Sequence, residues 1–292
     1  MSAGNFPIAA KSAIIKQAYH FYSNNHATLW RHQMINCCQA VRNSYFQGRD
    51  GTNKMSARLL LIFAHPDDES FALGGTIAKA ADAGVEIRLV TATKGEAGKT
   101  AGLCPQEELG AYREQELLRA ARVLGIGRVD FLGYRDKELS QAPPLRILGQ
   151  LLHVLREFRP LLVITFGEDG GSGHRDHRAI HHFTKAAIRL AAQPGLHEWG
   201  ERFSVPRLCY VQSGWRLSAE VRAAMDFVVP IEGWAERKWA AVREHRTQAF
   251  SIRKFETMAE EHKRHYFTEE YFLCDRELSA VPGRGDDLFA GL

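Results

Sequence analysis

Two clusters in this chain are of the residue types that hold metals and move protons. The first is His65-Pro66-Asp67-Asp68-Glu69, which follows at once on the apolar run Leu59-Leu60-Leu61-Ile62-Phe63-Ala64. His65 and Asp68 sit three residues apart on a tight turn that Pro66 helps to fix. An imidazole and a carboxylate so placed can share a divalent ion, and zinc accepts both ligand types. Asp67 points differently from Asp68 and is left free to act as a base. The second cluster is Gly170-Gly171-Ser172-Gly173-His174-Arg175-Asp176-His177. Its glycines let the backbone turn tightly and approach a ligand. A third neutral ligand such as His177 completes a two-His-one-carboxylate set with His65 and Asp68, with a position left for water. His174 then remains for proton transfer, and Asp176 can orient or charge it. His181 and His182 read as surface or packing residues of the helix that follows.

Each cluster alone is also what a solvated loop looks like. Their positions argue against that. The apolar run before His65 is too short to cross a bilayer and reads as a buried strand of a parallel sheet. From Arg58 onward strands and helices alternate. A strand through Ala64 is followed by a helix over Phe71–Ala83 with Gly84 as its stop, then a strand over Val85–Ala92 and a glycine-rich loop over Thr93–Cys104. Next come a helix over Glu107–Leu124 ending at Gly125, a strand over Val129–Leu132, a helix over Leu145–Phe158 and a strand over Leu161–Phe166. The loop Gly167–His177 leads into a helix that reaches about Ala192. Beyond Pro206 the pattern loosens to strands at Leu208–Val211 and Phe227–Val229 and a helix over Trp234–Gln248. This alternation predicts an α/β fold, a Rossmann-like, mostly parallel sheet with helices on both faces. In such sheets ligands gather just past the carboxyl ends of the strands. Both clusters fall there, so one cleft can hold them.

Composition narrows the partners. Of 292 residues, 45% are hydrophobic and 25% charged, as in a globular protein with a sizeable core. No apolar run approaches the roughly 20 residues of a membrane span. Residues 1–54 hold six basic residues against Asp50 alone, a local +5 that leaves −1 of the net +4 for the rest of the chain. The main body therefore has no electrostatic case for nucleic acid. The five cysteines, odd in number and with no Cys-x-x-Cys, suit a reducing, cytoplasmic setting and argue against a cysteine-based zinc site. Residues 1–54 lack strand–helix alternation and any secretory h-region, and match an organelle transit peptide only weakly. They read as a dispensable extension, with Met55 as an alternative start, 55–280 as a single domain, and the glycine- and aspartate-rich 281–292 as a mobile tail.

Ala64-His65-Pro66-Asp67-Asp68-Glu69 together with Gly173-His174-Arg175-Asp176-His177 resembles the LmbE/PIG-L family of zinc-dependent N-acetylglucosaminide deacetylases. The likeness runs from about Arg58 to Ala187, with a weaker echo at Lys238 and at His245-Arg246-Thr247-Gln248. The resemblance implies Zn2+ on His65, Asp68 and His177, with another divalent ion such as Fe2+ as the alternative. It implies Asp67 as general base, and His174 as the group that stabilises the oxyanion and protonates the amine, tuned by Asp176. By the same resemblance Arg113 holds sugar hydroxyls and Asp136 contacts the same sugar. The substrate so implied is a small amino-sugar conjugate. Three positions depart from the family pattern. Arg175 stands where many members have proline, Ser172 where the mycothiol-pathway members carry a tyrosine, and Lys99 where they carry a glutamate that contacts inositol. The deacetylase chemistry survives these changes; the assignment to that substrate does not.

Three rival readings of the same residues are weaker. A non-haem Fe(II) oxygenase also uses two histidines and a carboxylate, but Asp67 and His174 would then be idle. A Rossmann nucleotide site would need Gly-x-Gly-x-x-Gly after the first strand, and Gly74-Gly75 lies inside the first helix instead. A sugar-binding module with a structural metal would close its ion with four protein ligands, and only three are evident.

Overall fold

The computed structural model describes residues 57–212, 217–281 and 283–292; the reading of 1–54 as an extension lies outside them. A seven-stranded sheet runs through the molecule in the order β3-β2-β1-β4-β5-β7-β6. Strand β1 (Arg58–Phe63) is central, and Leu59 to Phe63 are fully buried, because helices cover both of its faces. It pairs in parallel with β2 (Glu86–Thr93) on one side and β4 (Leu162–Phe166) on the other. Strand β3 (Arg128–Tyr134) and strand β5 (Arg207–Gln212) extend the parallel part outward. The chain steps one way from β1 to β3 and then crosses back to β4. The gap between β1 and β4 is thus the switch point at which a doubly wound sheet opens a crevice.

The helices form two groups. Helix α1 (Asp68–Asp82) and helix α2 (Leu109–Leu124) pack together, while α3 (Pro144–Phe158) packs on α4 (Arg175–Ala191). After the short helix α5 (Ala219–Ala223) and strand β6 (Phe227–Pro230), helix α6 (Ala235–Glu244) lies against both α1 and α2. Helices α7 (Ala249–Glu256) and α8 (Glu260–Thr268) then lead to β7 (Glu269–Cys274), which is antiparallel to both β5 and β6. None of the described helices is long and apolar enough to cross a membrane.

Helix α1 bends at Leu73, where φ is −150° and ψ 28°. A bend frees backbone N–H groups that burial would leave unpaired, at a cost of about 1–3 kcal/mol each. Here Glu270 of β7 accepts from the amides of Gly75 and Thr76 at 3.0 and 2.7 Å. Lys238 of α6, fully buried, neutralises that carboxylate at 2.9 Å. Gly75 must be glycine, since a Cβ would meet Ile231 at 2.6 Å.

Two expectations are corrected. The helix read over Trp234–Gln248 ends at Glu244 and continues only as a 3-10 turn, Arg246–Gln248. The segment 281–292 is not a free tail: Arg207 donates to the carbonyls of Val281, Leu288 and Ala290, Gly285 bridges to Phe227, and Leu288 is buried. A buried arginine on β5 needs acceptors, and the carbonyls of this segment supply them.

Candidate active site

Strand β1 ends at Phe63, and the next residues turn sharply into α1. Asp67 takes the left-handed conformation, φ 113° and ψ −29°, which lets the chain reverse before Asp68 opens the helix. Asp68 Oδ2 folds back to accept from the backbone amides of Ala64 and His65 at 3.1 and 2.8 Å. Those bonds hold Asp68 ionised, its carboxyl kept well below the usual range by nearby His177 and His65 against the opposing effect of burial. They also leave Oδ1 facing the second cluster, 3.2 Å from His177 Nε2.

The second cluster differs locally from the loop expected over Gly167–His177. A one-turn helix, Gly170–Gly173, is followed by α4 from Arg175, and His174 is the N-cap of α4, its Nδ1 accepting the Asp176 amide at 3.2 Å. Asp176 and His177 therefore project from the first turn of a helix, a firmer mount than a loop. His177 lies flat on Phe166, ring centroids 4.0 Å apart. Gly170, at φ +70°, leaves room for it, since a Cβ there would sit 2.9 Å from His177 Cβ.

The three expected ligands converge. His65 Nδ1 lies 3.1 Å from His177 Nε2 and 3.8 Å from Asp68 Oδ2, the latter carboxylate also reaching His177. Ligand atoms bound tetrahedrally to zinc at about 2.0–2.2 Å lie about 3.4 Å from one another, so the spacing fits. The atoms behind them are engaged in the way metal ligands require. His177 Nδ1 is 3.0 Å from the Gly170 carbonyl, and His65 Nε2 is 3.0 Å from Asp136 and 3.2 Å from Asp176. Each ring can thus give its N–H to an oxygen and keep a lone pair for the shared space. Burial alone would lower the His65 pKa, yet the carboxylates of Asp136, Asp176 and Asp68 push it up to about 10. The field that favours a proton on this ring equally favours a divalent cation beside it. With one ligand atom from each residue, two groups among the described residues have those atoms within 4.8 Å of one another, His65 with His174 and His177, and His65 with Asp136 and Asp176. Asp68 joins His65 and His177 only through two different carboxylate oxygens.

The remaining candidates are present, but three are directed differently from what the sequence suggested. Asp176 does not point its carboxylate at His174. It is fully buried and accepts from His65, from the Lys137 amide at 2.6 Å and from the Leu139 amide at 3.2 Å. Asp136 has its oxygens on His65 Nε2 and on the Ala97 amide, 3.2 Å away, and is buried, so it supports a ligand from behind. Arg113 of α2 is buried too. It donates to the carbonyls of Gly95 and Pro66 and to Asp67 Oδ2 at 3.0 Å, while its Nε–H finds no acceptor among the described residues. A helical residue 46 positions away in sequence carries no signal of such a contact. Asp67, unlike Asp68, is only half-buried. Burial pushes its carboxyl up to about 6, against the opposing pull of the Arg113 charge. A carboxyl so poised can exchange its proton near neutral pH, which is what a general base requires. His174 is half-buried, 4.8 Å ring to ring from His65, with burial and the neighbouring imidazoles lowering its pKa.

Glu69 and His245 stand within the sequence motifs, which assign neither a role. Both are fully buried and pair at 3.0 Å across 176 residues. His181, read as packing, is buried with Nδ1 on the Phe166 carbonyl at 2.8 Å. The helix after β1 begins with Asp68 and Glu69, a first turn that repels phosphate and disposes of the nucleotide-binding alternative.

Comparison with known proteins bears on the family and the fold. The family model described as GlcNAc-PI de-N-acetylase, PIG-L, matches residues 60–188. A 1D-myo-inositol 2-acetamido-2-deoxy-alpha-D-glucopyranoside deacetylase of Geodermatophilus obscurus is 32% identical over 291 residues, spanning 81% of this chain and 98% of that one. Among solved structures, a conserved protein of Thermus thermophilus is 29% identical with a TM-score of 0.61, covering 77% of this chain and 94% of its own. The N,N'-diacetylchitobiose deacetylase of Pyrococcus horikoshii, at 24% identity and TM-score 0.63, covers 86% of this chain and 94% of its own and shares the fold.

Proposed function

The chain belongs to the PIG-L (LmbE-like) family, and from that premise we propose that it is a metal-dependent hydrolase that removes an acetyl group from the nitrogen of an N-acetylglucosamine-type conjugate. The observation that carries the reading is the convergence of His65 Nδ1, His177 Nε2 and the Asp68 carboxylate, each braced from behind, beside a carboxyl with a raised pKa. Zinc suits this donor set, two imidazoles and a carboxylate with room for water. Bound there, it would act as a Lewis acid on the amide carbonyl and make water acidic enough to attack near neutral pH.

The protein's own residues then divide the work. Asp67 accepts the proton of the attacking water, and Arg113 keeps its carboxylate aimed. The water oxygen bonds to the acetyl carbon, and negative charge gathers on the former carbonyl oxygen. Protonated His174, half-buried beside His65, stabilises that charge and gives its proton to the nitrogen as the C–N bond breaks. Acetate and a free amine leave. With Nδ1 accepting the Asp176 amide, the neutral ring holds its proton on Nε2; the charged ring that donates to the amine must first give up that contact.

The Geodermatophilus relative is named for an inositol conjugate. Ser172 and Lys99 differ from the residues the resemblance associates with that substrate, so the proposal extends to the N-acetylglucosamine unit and not to inositol. The domain reading is a single catalytic unit that begins near residue 55 and includes the segment packed on Arg207, with 1–54 outside it. The test is acetate release by zinc-loaded protein across a panel of N-acetylglucosamine conjugates. Asp67→Asn should retain zinc and lose about 10²–10⁴-fold in turnover, the usual worth of a positioned base. Asp68→Asn should instead weaken zinc affinity and regain activity as zinc is added. Loss of metal in the first variant and retention in the second would reverse the two roles, and no acetate from any conjugate would end the proposal.

A further inference from the structure

Asp67 has a conformation that an L-residue with a side chain resists. At φ 113° it lies in a region costing on the order of 1–3 kcal/mol, which persists only where surrounding structure holds it. Three contacts do so. Arg113 donates to the Pro66 carbonyl and to Asp67 Oδ2, and Glu69 Oε2 accepts the Asp67 amide at 3.1 Å. Glu69 is fully buried, and a carboxylate there must itself be satisfied. Its other oxygen accepts from Ser70 Oγ at 2.6 Å and from His245 Nε2 at 3.0 Å.

His245 ends α6 and begins the 3-10 turn Arg246–Gln248. The same turn reaches a second support. The Thr247 amide donates to Glu116 Oε1 at 2.9 Å, and its hydroxyl to Glu116 Oε2 at 2.6 Å. Glu116 is fully buried and lies three residues after Arg113, so both project from one face of α2. One short turn from the far end of the chain thus grips both elements that fix Asp67. Among the described residues, the hydrogen bonds of His245 and Thr247 reach Glu69 and Glu116 and no metal-ligand candidate, and the His245 charge also acts on Asp67.

We infer that His245 is a positioning residue that acts through Glu69 to hold Asp67 in its left-handed, reactive placement, with Thr247 acting through Glu116 on Arg113 as its companion. The inference rests on the reading of Asp67 as general base, and it adds a functional role for the C-terminal turn.

Two kinds of measurement test it. His245→Ala should reduce kcat about 10²-fold, the usual cost of misplacing a catalytic group by about 1 Å, while KM stays within about two-fold and zinc content is unchanged. In the Asp67→Asn background the same substitution should cost almost nothing further, because both changes remove one function. His245→Gln, whose amide can still donate to Glu69, should recover most of the rate. A crystal structure of His245→Ala should show Asp67 at negative φ and parted from Arg113. Wild-type kcat in the alanine variant, a full additive loss with Asp67→Asn, or an unmoved Asp67 would each overturn the inference. Should His245→Ala not fold, Glu69→Gln, which keeps the side-chain volume, carries the same cycle and the same crystallographic readout. If the wild-type protein releases no acetate, the proposed function falls, and the position of Asp67 in the variant still decides whether His245 holds it.

Discussion

Replacing Asp136 by asparagine separates two roles for this carboxylate, bracing a metal ligand and holding the sugar. The structure turns one of its oxygens to His65 Nε2 at 3.0 Å and the other to the Ala97 amide at 3.2 Å, whereas the family resemblance gives it to the sugar. An asparagine in the same place has one acceptor for those two donors. If its oxygen stays on Ala97, its amide N–H meets the His65 N–H, and the ring loses the partner that fixes its tautomer. Removing such a partner typically lowers metal affinity about 10–100-fold, or about 1.4–2.8 kcal/mol. Asp176 remains 3.2 Å from the same nitrogen, so the lower end applies, about ten-fold. Competition against a chromophoric chelator gives the zinc Kd, and acetate release gives KM. Zinc should bind about ten-fold more weakly, with KM at saturating zinc within about two-fold of the wild type. The double variant Asp136→Asn, Asp176→Asn should lose affinity well beyond the single one. Unchanged zinc affinity with KM raised about ten-fold or more would refute this reasoning and return Asp136 to the sugar.

Three further outcomes are expected. Arg113→Met should keep zinc near one per chain yet lower kcat more than it raises KM, since Arg113 clamps Asp67; a pure KM effect in steady-state kinetics would make it the sugar contact. Asp275→Asn should cost about 1–3 kcal/mol in urea unfolding at pH 7, because burial alone would raise this carboxyl, but Tyr210, Lys185 and the Leu278 amide hold its pKa below the usual range. That contribution is fully present above the unfolded value of about 3.9 and fades as pH falls through the lower folded value, so wild type and variant should converge in acid; a gap that widens there would contradict the sign. A chain beginning at Met55 should fold and turn over like the full chain, as judged by circular dichroism and acetate release, and loss of either would give residues 1–54 a role.

The parallel half of the fold was legible because buried central strands are continuous apolar runs, and Leu59–Phe63 and Leu162–Phe166 stand out as such. Legible too was the place of the site, since both clusters follow strands that flank the switch point. The start of α4 was not, because its cap is an imidazole and not the Ser, Thr, Asp or Asn that mark helix starts. Strand β7 was missed for a related reason. It opens with Glu269-Glu270, which reads as surface, yet Glu270 is buried because a bent helix and a buried lysine satisfy it. Polar residues inside a protein are set by partners far away in sequence, and periodicity carries no record of them. Helices α7 and α8 were missed because they are short and bury almost nothing, Tyr266 alone between them, so no core-facing run announced them.

Asp67 and Asp68 show how far identical neighbours can be driven apart. Residue type gives them the same intrinsic pKa, and one peptide bond separates them. Asp68 falls in the first turn of α1, where its Oδ2 can reach back to two free backbone amides, and this pins the carboxylate as an anion with one oxygen toward the imidazoles. Asp67 cannot share that geometry, because the chain must reverse between β1 and α1, and the reversal falls on its own φ. Its side chain turns to Arg113 instead, and burial, joined by the Asp68 charge, outweighs the lowering pull of Arg113, His245 and His65, leaving the carboxyl at about 6. A pinned anion is a ligand, and a carboxyl that exchanges its proton near neutral pH is a base. The proposed division of labour, Asp68 as ligand and Asp67 as base, is the one this turn favours. That turn stands because Glu69, His245 and Arg113 hold it from behind, so the chemistry of two adjacent aspartates depends on residues drawn from the middle and the far end of the chain.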